Sequence, residues 1–295
     1  MVHAVAFTFV VVLFGLNFPI MRVCNRFIPP FYGAGLRFGI AAVLLVTFVL
    51  VRKIPWPKGK ALTAAVLWGL IAYGGAFGCL FFALSMMNAA PVAVLFATAP
   101  LFTAIFMTVL GVEKLTVRKL LGSGAAVVGS AWIYRQGLTI DVRPLPFLLS
   151  VGGAACAGLS AVILKRAPRS HPLSTNAVGC VVGGGVLLLL AAVTGSFGKA
   201  RWEPNAIAAL AWVSVMGTAV GFSLVTWLIL HWSPLKVNYQ SVLSPLVAAV
   251  SSTLLLGEPL RPDLMVGAVA VLAGAWAVLG APAAKTPLIT GAKTG

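Results

Sequence analysis

The chain has 295 residues, of which 60% are hydrophobic and 9% charged, and its mean hydropathy is +1.05. A soluble domain carries roughly 25% charged residues, so a water-soluble enzyme or binding module is excluded and most of the chain belongs in lipid. The net charge of +16 comes from 21 Lys and Arg against 5 Asp and Glu; short basic cytoplasmic loops produce this balance, and no nucleic-acid partner is expected.

A helix crosses a hydrocarbon core of about 30 Å with ~20 residues. Apolar stretches of that length predict ten spans, near 4–23, 31–51, 61–84, 90–111, 118–135, 145–165, 174–195, 205–229, 235–256 and 263–281. Short connections rich in Pro, Gly and charge separate them, as in R-K-I-P-W-P-K-G-K at 52–60. The tail 282–295 is polar and expected to be a disordered cytoplasmic segment. A cleaved signal peptide is not expected, because no basic region precedes the first apolar stretch and that stretch has spanning length. With the N-terminus inside, 13 of the 21 Lys and Arg fall in cytoplasmic segments and 7 outside, so both termini are expected to be cytoplasmic.

The chain repeats itself. A shift of 145 residues lays Pro100-Leu101 on Pro245-Leu246, Glu113 on Glu258, Leu115 on Leu260, Gly122 on Gly267 and Gly129 on Gly274. A shift of 143 lays Gly15-Leu16 on Gly158-Leu159 and Arg22 on Lys165. Each half holds five spans, an odd number, so the copies run oppositely through the membrane. The expected fold is an all-α membrane protein of ten transmembrane helices in two inverted five-helix repeats, over 1–136 and 144–281. In such proteins the substrate site lies near the midplane at the repeat interface.

Cys24, Cys79, Cys156 and Cys180 are widely spaced and form no CxxC pair, so no disulfide framework, redox site or metal site is implied. A membrane hydrolase or transferase would need an intramembrane His, Asp or Glu cluster or a Ser/His pair; no such arrangement occurs, and catalysis is not expected.

Several motifs together resemble the drug/metabolite transporter superfamily and, within it, the EamA-type carriers. These are F-G-L-N-F-P at 14–19, L-R-F-G-I-A-A at 36–42, A-P-L-F at 99–102 with G-V-E-K-L at 111–115, and S-P-L at 244–246 with G-E-P-L at 257–260. Phe14 departs from the pattern, since such proteins often carry Trp before that Gly. The resemblance implies export of amino acids or similar small metabolites across the inner membrane, with no cofactor. A lipid-handling or drug-efflux protein of the same architecture is the alternative. The expected partners are a small-molecule substrate and the bilayer, and the protein is expected to be a monomer or homodimer.

Candidate cavity residues follow from polarity, aromaticity and position. Pro100 and Pro245 sit mid-span at equivalent positions, where a proline removes a helical hydrogen bond and makes a kink, a hinge or a cavity corner. Span 9 approaches Pro245 through a polar run that includes Asn238, Tyr239 and Ser244. Such groups bind substrate or join helices. Asn17 in span 1, Tyr73 and Phe77 in span 3 and Phe222 in span 8 complete the set. Trp68 and Trp227 are read as interfacial belt residues. Arg37, the one full charge inside a span, lies about two turns from the outer end. It either snorkels outward or binds a substrate carboxylate or a carbonyl of a neighbouring helix, and the structural reading is preferred because it is not near the span centre. Glu113 and Glu258 lie at span ends and are expected to bond backbone or basic groups there, leaving no deep carboxylate for proton coupling.

Overall fold

The computed structural model describes residues 2–86, 89–113, 116–134, 144–256 and 262–279, and among these every regular element is helical. Ten spans run in chain order. Spans 1 and 2 are Val2–Asn25 and Pro30–Val51. Span 3 joins Lys60–Trp68, Gly69–Ala76 and Phe77–Met86. Span 4 joins Ala89–Phe96 to Ala99–Val109. Spans 5, 6 and 7 are Val117–Tyr134, Pro144–Arg166 and Pro172–Val193. Span 8 joins Pro204–Trp212, Val213–Phe222 and Ser223–His231. Span 9 joins Pro234–Asn238 to Gln240–Leu256, and span 10 is Pro262–Leu279.

Proline sets where many of these begin. Pro30, Pro144, Pro172, Pro204, Pro234 and Pro262 are each the first residue of their helix. There the missing N–H removes no helical bond and the fixed φ suits the first turn. Among the described residues seven segments are long and apolar enough to cross a bilayer, and large apolar side chains stand exposed along the helices, among them Val193, Leu254, Val109 and Trp276. Exposure on that scale marks a lipid-facing surface.

The helices pair across the two repeats. Span 1 packs on span 9 and span 6 on span 4; spans 2 and 7 pair, as do spans 5 and 10. Each contact maps onto itself or onto another when the halves are exchanged, which is the signature of a two-fold relation between the repeats. It is sharpest between spans 5 and 10. A Cβ on Gly122 would lie 2.9 Å from the Gly274 carbonyl oxygen, and one on Gly129 would lie 2.8 Å from that of Gly267. These are the glycines that the 145-residue shift superimposes.

The breaks inside spans fall partly where the prolines predict them. Span 4 is interrupted at Ala97–Thr98 and restarts with Pro100 in its first turn. Pro245, by contrast, lies inside an unbroken helix, and span 9 is interrupted at Tyr239 instead. The prolines match in sequence, but the corners do not.

Candidate functional site

Spans 3 and 8 widen into π-helix at equivalent places, Gly69–Ala76 and Val213–Phe222. In each case a tryptophan, Trp68 or Trp212, immediately precedes the widened stretch. Short π segments shift the hydrogen-bond ladder by one residue and occur often at functional sites. Glycines allow the neighbouring helix close. A Cβ on Gly183 of span 7 would meet Tyr73 and would stand 2.7 Å from the Gly69 carbonyl oxygen.

Arg37 points into this region. It is 5% exposed, and its Nε donates to Thr218 Oγ1 at 2.5 Å, in the second π segment. The rings of Phe38, Phe77 and Phe222 surround the guanidinium, with centroids 5.5, 5.9 and 5.8 Å from Cζ. Aromatic faces attract cations but do not neutralise them. No acidic side chain among the described residues pairs with Arg37; the ion pair found there is Lys119 with Glu113. The outward-snorkelling reading of Arg37 is therefore corrected, because span 8 supplies a partner deep in the bundle.

Asn17 borders the same stretch of span 8. A Cβ on Gly217 would sit 2.5 Å from Asn17 Nδ2, so this contact requires glycine. Both amide atoms of Asn17 are buried without a hydrogen-bond partner. One turn earlier, Phe14 packs on Phe222 at 5.0 Å. Asn17, Phe77 and Phe222 are thus brought together, with Arg37 added.

Tyr73 lies beside them but is fully buried, and its hydroxyl is engaged by the protein. It accepts from Trp68 Nε1 at 3.1 Å and donates to Asn176 Oδ1 at 2.6 Å. Asn176 Nδ2 in turn donates to Ser223 Oγ at 2.9 Å. This chain fastens span 3 to spans 7 and 8. Trp68 is a buried member of it, not a belt residue. Trp227 stacks on His3 at 5.2 Å, closing span 1 onto span 8 at the end opposite Asn25.

Asn238, Tyr239 and Ser244 of the span 9 polar run are spent on helix contacts, whereas the buried Gln240 Oε1 has no hydrogen-bond partner among the described residues. Asn238 Nδ2 donates to Thr103 Oγ1 at 2.6 Å, Tyr239 to Ser123 Oγ at 3.1 Å, and Ser244 Oγ to the Val11 carbonyl at 3.3 Å. Those bonds tie span 9 to spans 4, 5 and 1. Asn238→Ala should therefore lower stability by about 1 kcal/mol, through the one hydrogen bond lost to Thr103, whose hydroxyl keeps its bond to the Ala99 carbonyl, while leaving the apparent affinity for substrate unchanged. Thermal melting in detergent alongside transport kinetics measures both.

Glu113 lies just past the end of span 4. It pairs with Lys119 and accepts from Ser233 Oγ at 2.9 Å, joining the 4–5 turn to the 8–9 turn. Glu258 lies outside the described residues, as do 282–295.

Sequence reasoning missed Thr218, Asn176, Thr103 and Ser123. Each is an ordinary small polar residue whose partner lies in another span. The π segments had one available signal, the Trp-plus-glycine pattern repeated about 144 residues apart.

The model of the EamA-like transporter family matches residues 3–135 and again 145–280. Among curated proteins, the "Uncharacterized transporter YvbV" of Bacillus subtilis is 26% identical over 274 residues, 90% of this chain and 87% of that one. The "Probable amino-acid metabolite efflux pump" of Salmonella typhimurium is 27% identical, covering 96% of each chain. A solved crystal structure superposes with a TM-score of 0.78 over 94% of this chain and 96% of that one, at 15% identity, which supports the fold. These names point to transport rather than catalysis. With two matched repeats, membrane-length helices and the interleaved packing described above, the chain belongs to the EamA-like transporter family and is a multi-pass membrane transporter.

Proposed function

We propose that the protein is a secondary carrier that exports a small amphipathic metabolite, an amino acid or a related compound, across the inner membrane. It works by alternating access between its two repeats. The observation that carries this is the pair of equivalent π segments, one in each repeat. They place glycine-rich, locally adaptable backbone on both sides of one aromatic and polar cluster, as expected of a substrate site at a repeat interface. The relative described as an amino-acid metabolite efflux pump supports the substrate class.

The test is counterflow in proteoliposomes loaded with unlabelled amino acids. Saturable uptake of a labelled amino acid that depends on the internal load is expected. Absence of such exchange for every amino acid offered, with folded and correctly inserted protein, overturns the reading.

The proposal places both termini in the cytoplasm, following the distribution of Lys and Arg. A C-terminal green fluorescent protein fusion should be bright and a C-terminal alkaline phosphatase fusion inactive. The opposite pair of results reverses the orientation.

A further inference from the structure

We propose that Arg37 and Asn17 form the polar anchor of the transport site. The Arg37 guanidinium takes the carboxylate of the substrate and the Asn17 amide takes its amino group, while Phe14, Phe77 and Phe222 enclose the apolar remainder. The assignment rests on the carrier reading and narrows it to small apolar carboxylates.

A full charge in the low-dielectric interior is costly unless an opposite charge and hydrogen bonds compensate it. Arg37 has three ring faces and one threonine hydroxyl. The sequence offers nothing better within the spans: its five acids are Glu113, Asp141, Glu203, Glu258 and Asp263, all at predicted span ends or in connections. Among the described residues no carboxylate faces Arg37, and a substrate carboxylate would supply the countercharge. A guanidinium carries five N–H donors, and Nε serves Thr218. The planar fork is suited to binding a carboxylate through two parallel bonds.

Asn17 provides the second, independent observation. It is 6% exposed, and neither amide atom has a partner. Among the described residues the other buried asparagines are bonded: Asn176 through both amide atoms and Asn238 through Nδ2. A buried amide left unmatched loses the desolvation cost of both its donor and its acceptor, so a ligand that satisfies it gains accordingly. The two groups border one stretch of span 8: Asn17 abuts Gly217, and Arg37 bonds to the adjacent Thr218. Phe222 touches both sides, facing Phe14 and Arg37. An acceptor for an ammonium group beside a fork for a carboxylate matches the head group of an amino acid. A hydrophobic cation, by contrast, would meet the Arg37 charge.

The experiment measures competition binding and flux for two ligand series: leucine, 4-methylpentanoate and 3-methylbutylamine, and phenylalanine, 3-phenylpropionate and 2-phenylethylamine. Wild-type protein should bind the amino acids and the acids, and should bind the amines at least about tenfold more weakly. Arg37→Gln should remove that preference, and Arg37→Lys should keep part of it. Asn17→Ala should weaken the amino acids severalfold and leave the amine-free acids nearly unchanged. Size-exclusion profiles identify variants that do not fold, in which case the wild-type ligand series and Arg37→Lys decide. Equal binding of acids and amines, binding of no member of either series, or an unchanged preference in folded Arg37→Gln overturns the anchor. Carboxylate-dependent binding without flux keeps the anchor and sinks the carrier reading. Flux that ignores the carboxylate does the reverse.

Discussion

Gly122→Val is expected to abolish folded protein, whereas Gly124→Val, two residues along the same helix, is expected to be tolerated. The contrast rests on what a side chain would meet. At Gly122 the new carbon would lie 2.8 Å from Val278 Cγ2 and 2.9 Å from the Gly274 carbonyl oxygen; at Gly124 it would meet nothing within 4 Å. Spans 5 and 10 approach through small residues, and in lipid such close packing supplies much of the helix association. Overpacking typically costs about 1–3 kcal/mol, and a rigid backbone oxygen leaves little room for relief, so the loss should lie at or above the upper end. The pseudo-two-fold relation extends the prediction: Gly274→Val should be as damaging, because its Cβ would meet the Gly122 carbonyl oxygen. Fluorescence-detected size exclusion and melting temperature in detergent read the result. Equal stability of Gly122→Val and Gly124→Val would show that the spans separate without penalty.

The same glycines explain why the architecture was legible in sequence. Gly122, Gly129, Gly267 and Gly274 recur at one spacing because two copies of a helix must meet across a two-fold axis. The spans were legible because lipid demands long apolar stretches and because prolines mark so many of their first turns. The site was legible only in part. Asn17 stood out as a polar group in span 1, and Phe77 and Phe222 as aromatics at roughly helical spacing in spans 3 and 8. The depth of Arg37 did not, because counting residues from a helix end says nothing of Thr218 waiting in another span. The polar run at Asn238–Ser244 was visible, but whether such a run faces substrate or helices depends on its partners. Here these are Thr103, Ser123 and the Val11 carbonyl, far away in sequence. The π segments change the helix by one residue per turn and leave the apolar composition untouched, so hydropathy passes over them.

Removing the Glu113 carboxylate is expected to cost stability without touching energy coupling. Glu113 holds Lys119, which is 3% exposed, and accepts from Ser233 across two turns at one end of the bundle. Glu113→Gln takes this carboxylate away from the buried ammonium, a loss of about 3 kcal/mol for a pair of this burial. Coupling is a different matter. Proton antiport needs a titrating group that faces each side in turn, and the acids of this chain lie at predicted span ends or in connections. The carrier should therefore run by facilitated diffusion or exchange. A zwitterion carries no net charge and is indifferent to the membrane potential, which is worth about 2.3 kcal/mol per charge per 100 mV. In liposomes with equal pH on both faces, downhill flux of a zwitterionic amino acid should persist. Glu113→Gln should yield less folded protein but the same flux per folded molecule. Uphill accumulation driven by a pH gradient, and lost in Glu113→Gln or Glu258→Gln, would instead make one of these carboxylates a proton carrier and the helix-end assignment wrong.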